Sequence, residues 1–204
     1  EERLDKEIKE GLRGKDIILS RADPLFVEKL FAREVPEIAS GNVTVKQIAR
    51  EAGVRTKIAV VSSQQGVDPV GSCVGQKGVR VQAVTNELGG ERVDLISYSE
   101  DLAELVKASL SPADGLSVKV SKKDKLARVS APDDQLSLAI GKHGQNVRLA
   151  SKLTGWNIDI RSKKDLKALD EVSILSIEGI GKKAKDILEE AGFDSIDKIA
   201  NTSV

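Results

Sequence analysis

Two stretches of this chain have residue types and spacing suited to gripping a sugar-phosphate backbone. They are Val74-Gly75-Gln76-Lys77-Gly78-Val79-Arg80-Val81 and Ile140-Gly141-Lys142-His143-Gly144-Gln145-Asn146-Val147, displaced by 66 positions, from 75 to 141. Each has an aliphatic residue, two glycines around a polar or basic pair, and then a helical run. Glycine removes the Cβ atoms that would hold a phosphate away, and the helix that follows offers free N–H groups and the positive end of its dipole. One Gly-x-x-Gly string arises easily by chance; two in equivalent surroundings do not.

Other chemistries have less to build on. His143 is the one histidine and Cys73 the one cysteine, so neither a zinc-ligand cluster nor an intrachain disulfide framework can be drawn. They lie in different halves of the repeat and make no nucleophile–base pair; Cys73 reads as a small buried residue before the first loop. Trp156, after the helix stop Gly155, reads as a core anchor. Gly179-Ile180-Gly181-Lys182 resembles a nucleotide loop but has Ser176 where a P-loop needs Gly and Lys183 where it needs Ser or Thr. No cofactor is expected.

Around the loops the elements repeat. A helix from Pro24 to a stop at Gly41, strands at Val43–Ile48 and Lys57–Ser62, a short helix from Asp68-Pro69, the loop, a helix at Val79–Leu88 and a strand at Val93–Ile96 form the first set. The second set has a helix at Asp101–Leu110, strands at Leu116–Val120 and Leu126–Val129, a short helix capped by Asp133-Asp134, the loop, a helix at Gln145–Leu153 and a strand at Ile158–Ile160. The offset of 66 also pairs Asp68 with Asp134 and Gly89 with Gly155. Such agreement marks an internal duplication.

Flanking segments differ in texture. Lys15–Arg21 reads as one strand at the end of a domain, and the lack of methionine with Glu1 in front suggests a fragment. After Leu166, Ile177-Glu178-Gly179-Ile180-Gly181 and a helix near Asp186–Ala191 suggest a helix-hairpin-helix, short enough to be truncated. There Gly179, Ile180, Gly181 and Lys182 would meet a phosphate or a protein.

The 204 residues carry 32 basic and 32 acidic side chains, with 40% hydrophobic and 31% charged content. That composition excludes a wholly disordered chain, and no apolar run suggests a membrane span or secretory signal. A cytoplasmic monomer with no membrane attachment is the expectation. Charge is uneven: residues 118–166 hold eleven basic against five acidic residues, 24–117 ten against twelve, and 167–204 five against eight. The second loop therefore has the stronger field, and the first must rely on shape with Lys77 and Arg80.

Glycine loops between helices, flanked by aliphatic residues, match a KH module, in which bases lie in an aliphatic groove. The 2% aromatic content suits that groove and argues against an aromatic stacking platform. The strings Glu34-Val35-Pro36-Glu37-Ile38, Arg55-Thr56-Lys57-Ile58-Ala59-Val60, Asp68-Pro69-Val70-Gly71-Ser72-Cys73-Val74-Gly75, Glu87-Leu88-Gly89-Gly90-Glu91-Arg92 and Leu138–Ala150 resemble the tandem KH region of the NusA family of bacterial transcription factors.

The resemblance runs from about Ile17 to Ser162. It implies an α+β chain: 1–21 the remnant of an S1-type OB-fold, 22–100 and 101–166 two type II KH domains, each a three-stranded sheet packed with helices, and 167–204 a small all-α helix-hairpin-helix. It also implies a non-enzymatic factor that holds nascent single-stranded RNA at RNA polymerase, which it contacts through regions largely outside this chain, and modulates pausing, termination and antitermination. By position, the first grip is Gly75, Gln76, Lys77, Gly78 and Arg80; the second is Gly141, Lys142, His143, Gly144, Gln145, Asn146 and Arg148. The acidic tail is expected to take either a protein partner or nucleic acid. The competing readings are a KH protein of ribosome assembly or RNA decay and, last, a nucleic-acid-processing enzyme.

Overall fold

In this computed structural model the described residues are 8–10, 17–162, 181–191 and 193. The first module opens with α1 (Pro24–Glu34), where the Asp23 carboxylate accepts from the Leu25 N–H at 2.7 Å and Pro24 sits in the first turn. Its stripe Phe26, Val27, Leu30 and Phe31 is buried. The single helix expected as far as Gly41 is instead two, because Pro36 forces Val35 into extended backbone (φ −119°, ψ 101°) before α2 (Pro36–Ala39).

Next come β3 (Val43–Glu51), β4 (Arg55–Ser62), α3 (Pro69–Val74), a 3₁₀ turn at Gln76–Gly78, α4 (Val79–Glu87) and β5 (Arg92–Ser97). The sheet order is β3-β4-β5, with β3 antiparallel and β5 parallel to β4. A parallel pair needs a crossover, and α3, the loop and α4 supply it, which fixes both ends of the loop against the sheet. Ile58, Val60, Cys73 and Val84 close the core beneath α1.

The second module repeats this order with α5 (Leu102–Ser109), β6 (Ser117–Ser121), β7 (Leu126–Ala131), α6 (Leu136–Ile140), a 3₁₀ turn at Lys142–Gly144, α7 (Gln145–Thr154) and β8 (Asn157–Ser162). Its sheet is β6-β7-β8, again antiparallel and then parallel. Two KH domains thus stand in tandem. Asp133 and Asp134 do not cap α6: the N-cap is Gln135, with no side-chain cap bond, and Asp134 accepts from the Gln135 amide.

α5 and α7 are apolar on two faces. Val106, Leu110 and Ala150 point into their own module, while Leu105, Leu149 and Leu153 pack on Ala49, Ala59 and Ile96 from the outer face of the first sheet. Beside this seam Lys57, fully buried, donates to Asp94 and to the Ser111 carbonyl, 3.0 Å each. Burial pushes the Lys57 ammonium down from its ordinary value, and Asp94 opposes that shift.

Before the modules, β1 (Ile8–Glu10) pairs antiparallel with β2 (Ile17–Leu19), two strands where one was expected. The Arg50 guanidinium donates to the Arg21 and Asp23 carbonyls at 2.8 Å, and to buried Glu91, whose carboxylate also accepts from Thr56 and Gly53. Of the tail, α8 (Lys182–Glu190) is described; the hairpin residues Gly179 and Ile180 lie outside the described residues, and Gly181 and Lys182 lead into α8.

Candidate nucleic-acid interface

The two loops are one backbone conformation made twice. Gly75 has φ 74° and ψ 173°, Gly141 φ 75° and ψ 168°; Lys77 and His143 both have φ 53°; Gly78 and Gly144 have φ 77° and 71°. The first glycine of each occupies a region open essentially to glycine alone, and the second is left-handed. Lys77 and His143 hold left-handed backbone without being glycine, and both side chains are exposed. Residues strained this way cluster at ligand clamps.

Gln76, Lys77, Lys142 and His143 project into solvent, ahead of the N-termini of α4 and α7. The leading N–H groups of such turns lack intrahelical acceptors and can meet an anion. Val79 and Leu138, 63% and 47% exposed, put aliphatic surface next to the loops.

Arg80 and Asn146, expected on the ligand side, lie underneath. A Cβ on Gly75 would stand 2.7 Å from Arg80 Cγ, and one on Gly141 2.7 Å from Asn146 Cβ. Arg80 donates to the Ser72 carbonyl at 2.6 Å and to Glu37 at 2.9 Å. Asn146 is fully buried, and its Nδ2 donates to the carbonyls of Leu110, Leu138 and Ala139 at 2.9, 3.2 and 3.1 Å. That burial corrects the expectation for Asn146: it braces the loop.

Gln145 and Arg148 turn toward the other module. Arg148 Nε donates to Glu51 Oε1 at 2.7 Å and its Nη2 to Oε2 at 3.2 Å, while Gln145 donates to Oε2 at 3.2 Å. Arg148 Nη1 also donates to the His143 carbonyl at 3.3 Å, which links the intermodule contact to the loop itself. These bonds and the charges of Arg148 and Lys152 hold the Glu51 carboxyl at about 2, against desolvation. Glu37 and Glu51 escaped the sequence reading, because carboxylates distant in sequence carry no local sign of their partners.

Cys73 is a free, buried cysteine, and burial pushes its thiol up to about 11. Trp156 is half-buried and joins none of the three apolar clusters. Among the described residues no group of three His, Cys, Asp or Glu side chains could hold a metal ion, and no helix is long and apolar enough to cross a membrane.

Two family descriptions match in series: a NusA-like first KH domain over residues 21–98 and a NusA-like second KH domain over 102–168. Transcription termination/antitermination protein NusA of Borreliella burgdorferi is 44% identical over 198 residues, covering 95% of this chain and 41% of that protein. The Bacillus subtilis protein of the same name is 52% identical over 162 residues, 79% of this chain and 44% of that one. That of Mycobacterium tuberculosis is 54% identical over 152 residues, 74% and 44%. The chain therefore spans less than half the length of these relatives. The solved structure of APE1850 is similar at a TM-score of 0.50 and 26% identity, covering 68% of this chain and 97% of that one. With both NusA-like KH domains in order and these relatives matched across them, the chain belongs to the NusA family.

Proposed function

We propose that the loops at Gly75–Gly78 and Gly141–Gly144 grip one single-stranded RNA, roughly four nucleotides per module, and that the chain serves as the RNA-holding part of a bacterial transcription factor. In this reading it binds the nascent transcript at RNA polymerase in the cytoplasm and modulates pausing, termination and antitermination, as a binding factor rather than an enzyme. The names of its relatives support the setting. The observation that carries the RNA reading is the pair of loops with matching backbone angles, on modules joined by a shared apolar seam.

Contacts are assigned to Gly75, Gln76, Lys77 and Gly78, and to Gly141, Lys142, His143 and Gly144. Arg80, Gln145, Asn146 and Arg148 support them from below and from the side. The domain scheme remains 22–100 and 101–166 for the KH pair, 1–21 as the end of an S1-type fold and 167–204 as a helix-hairpin-helix.

The test is retention on stalled elongation complexes with the emerging transcript either intact or trimmed back to the polymerase by ribonuclease. Retention that needs the intact transcript is expected. Equal retention on trimmed complexes, or none on either, would overturn the reading.

A further inference from the structure

The two sheets have the same architecture but differ on their outer faces. Strand register makes the correspondence explicit: the row Ala49–Lys57–Asp94 of the first sheet matches Lys119–Arg128–Asp159 of the second, and Gln47–Ala59–Ile96 matches Ser117–Ser130–Arg161. In the first module Ala49, Ala59 and Ile96 are buried under Leu105, Leu149 and Leu153 of the next module. Their counterparts Lys119, Ser130 and Arg161 cannot receive such an apolar helix.

Lys119 and Arg128 stand directly opposite each other and are both exposed, an arrangement of like charges that destabilises a bare sheet. The adjoining turn adds exposed Lys122, Lys123 and Lys125. The nearby carboxylates are engaged elsewhere: Asp159 accepts from Arg161 at 2.9 Å and Asp124 from Ser121 at 2.8 Å. Among the described residues, no ion pair engages any of these five cations.

We propose that this outer face of β6 and β7 is a second RNA contact, binding phosphates of single-stranded RNA that extends past the two loops, without regard to sequence. Charge complementarity names the ligand. A protein partner would want aromatic or apolar anchors, which the rows Lys119–Arg128–Asp159 and Ser117–Ser130–Arg161 lack, whereas phosphates need cations and no pocket. The proposal rests on the RNA reading of the loops.

The test compares the wild type with a variant carrying K119Q, K122Q, K123Q, K125Q and R128Q, all at exposed positions, with circular dichroism to verify folding. An oligouridylate of about 8 nucleotides fills the two loops and one of about 30 reaches beyond them. Affinity for the short RNA should be unchanged. Affinity for the long RNA should fall about tenfold at low salt, and the logarithmic salt slope should shrink by about 0.7 per lost contact.

Equal affinity and slope for the long RNA in both proteins would overturn the proposal, as would the same loss on both RNAs. A polyglutamate peptide that binds this face while the long RNA is unaffected by the substitutions would assign it to an acidic protein instead. Binding of the long RNA but not the short by the wild type would sink the loop reading on which this one rests, an outcome distinct from equal affinity and slope in the two proteins.

Discussion

Asn146 does in the second module what Arg80 does in the first: each packs beneath the opening glycine of its loop and donates to the carbonyl eight residues earlier, Leu138 and Ser72, at 3.2 and 2.6 Å. Different side chains perform one mechanical task. The amide does so from full burial, whereas the guanidinium remains half-buried and pairs with Glu37. Replacing Asn146 with Leu takes the donor from the Leu138 and Ala139 carbonyls, while Leu110 keeps the Ala113 N–H at 3.2 Å, and leaving one such group unsatisfied costs about 1–3 kcal/mol. Urea denaturation should show Asn146→Leu well below wild type and Arg80→Leu affected less.

The glycines of one loop should differ in what they tolerate. A Cβ on Gly141 would meet Asn146 Cβ at 2.7 Å and its backbone nitrogen at 2.8 Å, with φ at 75°, so Gly141→Ala is excluded by both space and conformation. Gly144 has only a distant neighbour, Val147 at 3.9 Å, and left-handed backbone that Asn accepts. Thermal melts should show Gly144→Asn near wild type and Gly141→Ala strongly lowered, the strained backbone alone costing about 1–3 kcal/mol.

Acid should loosen the module junction through Glu51. Its carboxyl is held at about 2, chiefly by the Arg148 hydrogen bond, against an ordinary 4.5. A lowered folded-state value means that its stabilisation is complete above about 4.5 and is lost as pH falls through about 2. Denaturation midpoints between those limits should drop more steeply for wild type than for Glu51→Gln. Parallel curves would contradict the assignment.

Lys57 and Asp94 form the buried counterpart of that contact. Asp94→Ala leaves the ammonium with the Ser111 carbonyl and no counter-ion, and breaking a buried pair from one side costs about 3–5 kcal/mol. Lys57→Met should cost less, since Asp94 keeps Arg55 at 2.8 Å. Equal urea midpoints for the two variants would contradict this asymmetry.

The duplication was legible because demanding backbone leaves marks: positions with φ near 75° call for glycine, and they recur 66 residues apart. The strand and helix order followed from periodicity. The break at Val35 was legible too, since a residue before proline leaves the helical region, but the apolar run across it read as continuous. What stayed hidden was where the polar side chains go. Arg80, Asn146 and Arg148 look like ligand contacts beside a phosphate loop, yet their partners are Glu37, buried carbonyls and Glu51, and only tertiary packing brings these near. The cationic outer face was also written in the alternation Ser117-Val118-Lys119-Val120, but its meaning needed the covered first sheet for comparison.

The most direct test of the paired grip is a titration of single-stranded RNA at fixed salt against wild type and a variant with Gln76, Lys77, Lys142 and His143 changed to Asp. All four side chains are exposed, so the fold should survive, as circular dichroism would verify. Greatly weakened binding is the predicted result, with the logarithmic salt slope reduced by about 0.7 for each phosphate contact removed. Unchanged affinity in the folded variant would contradict the account.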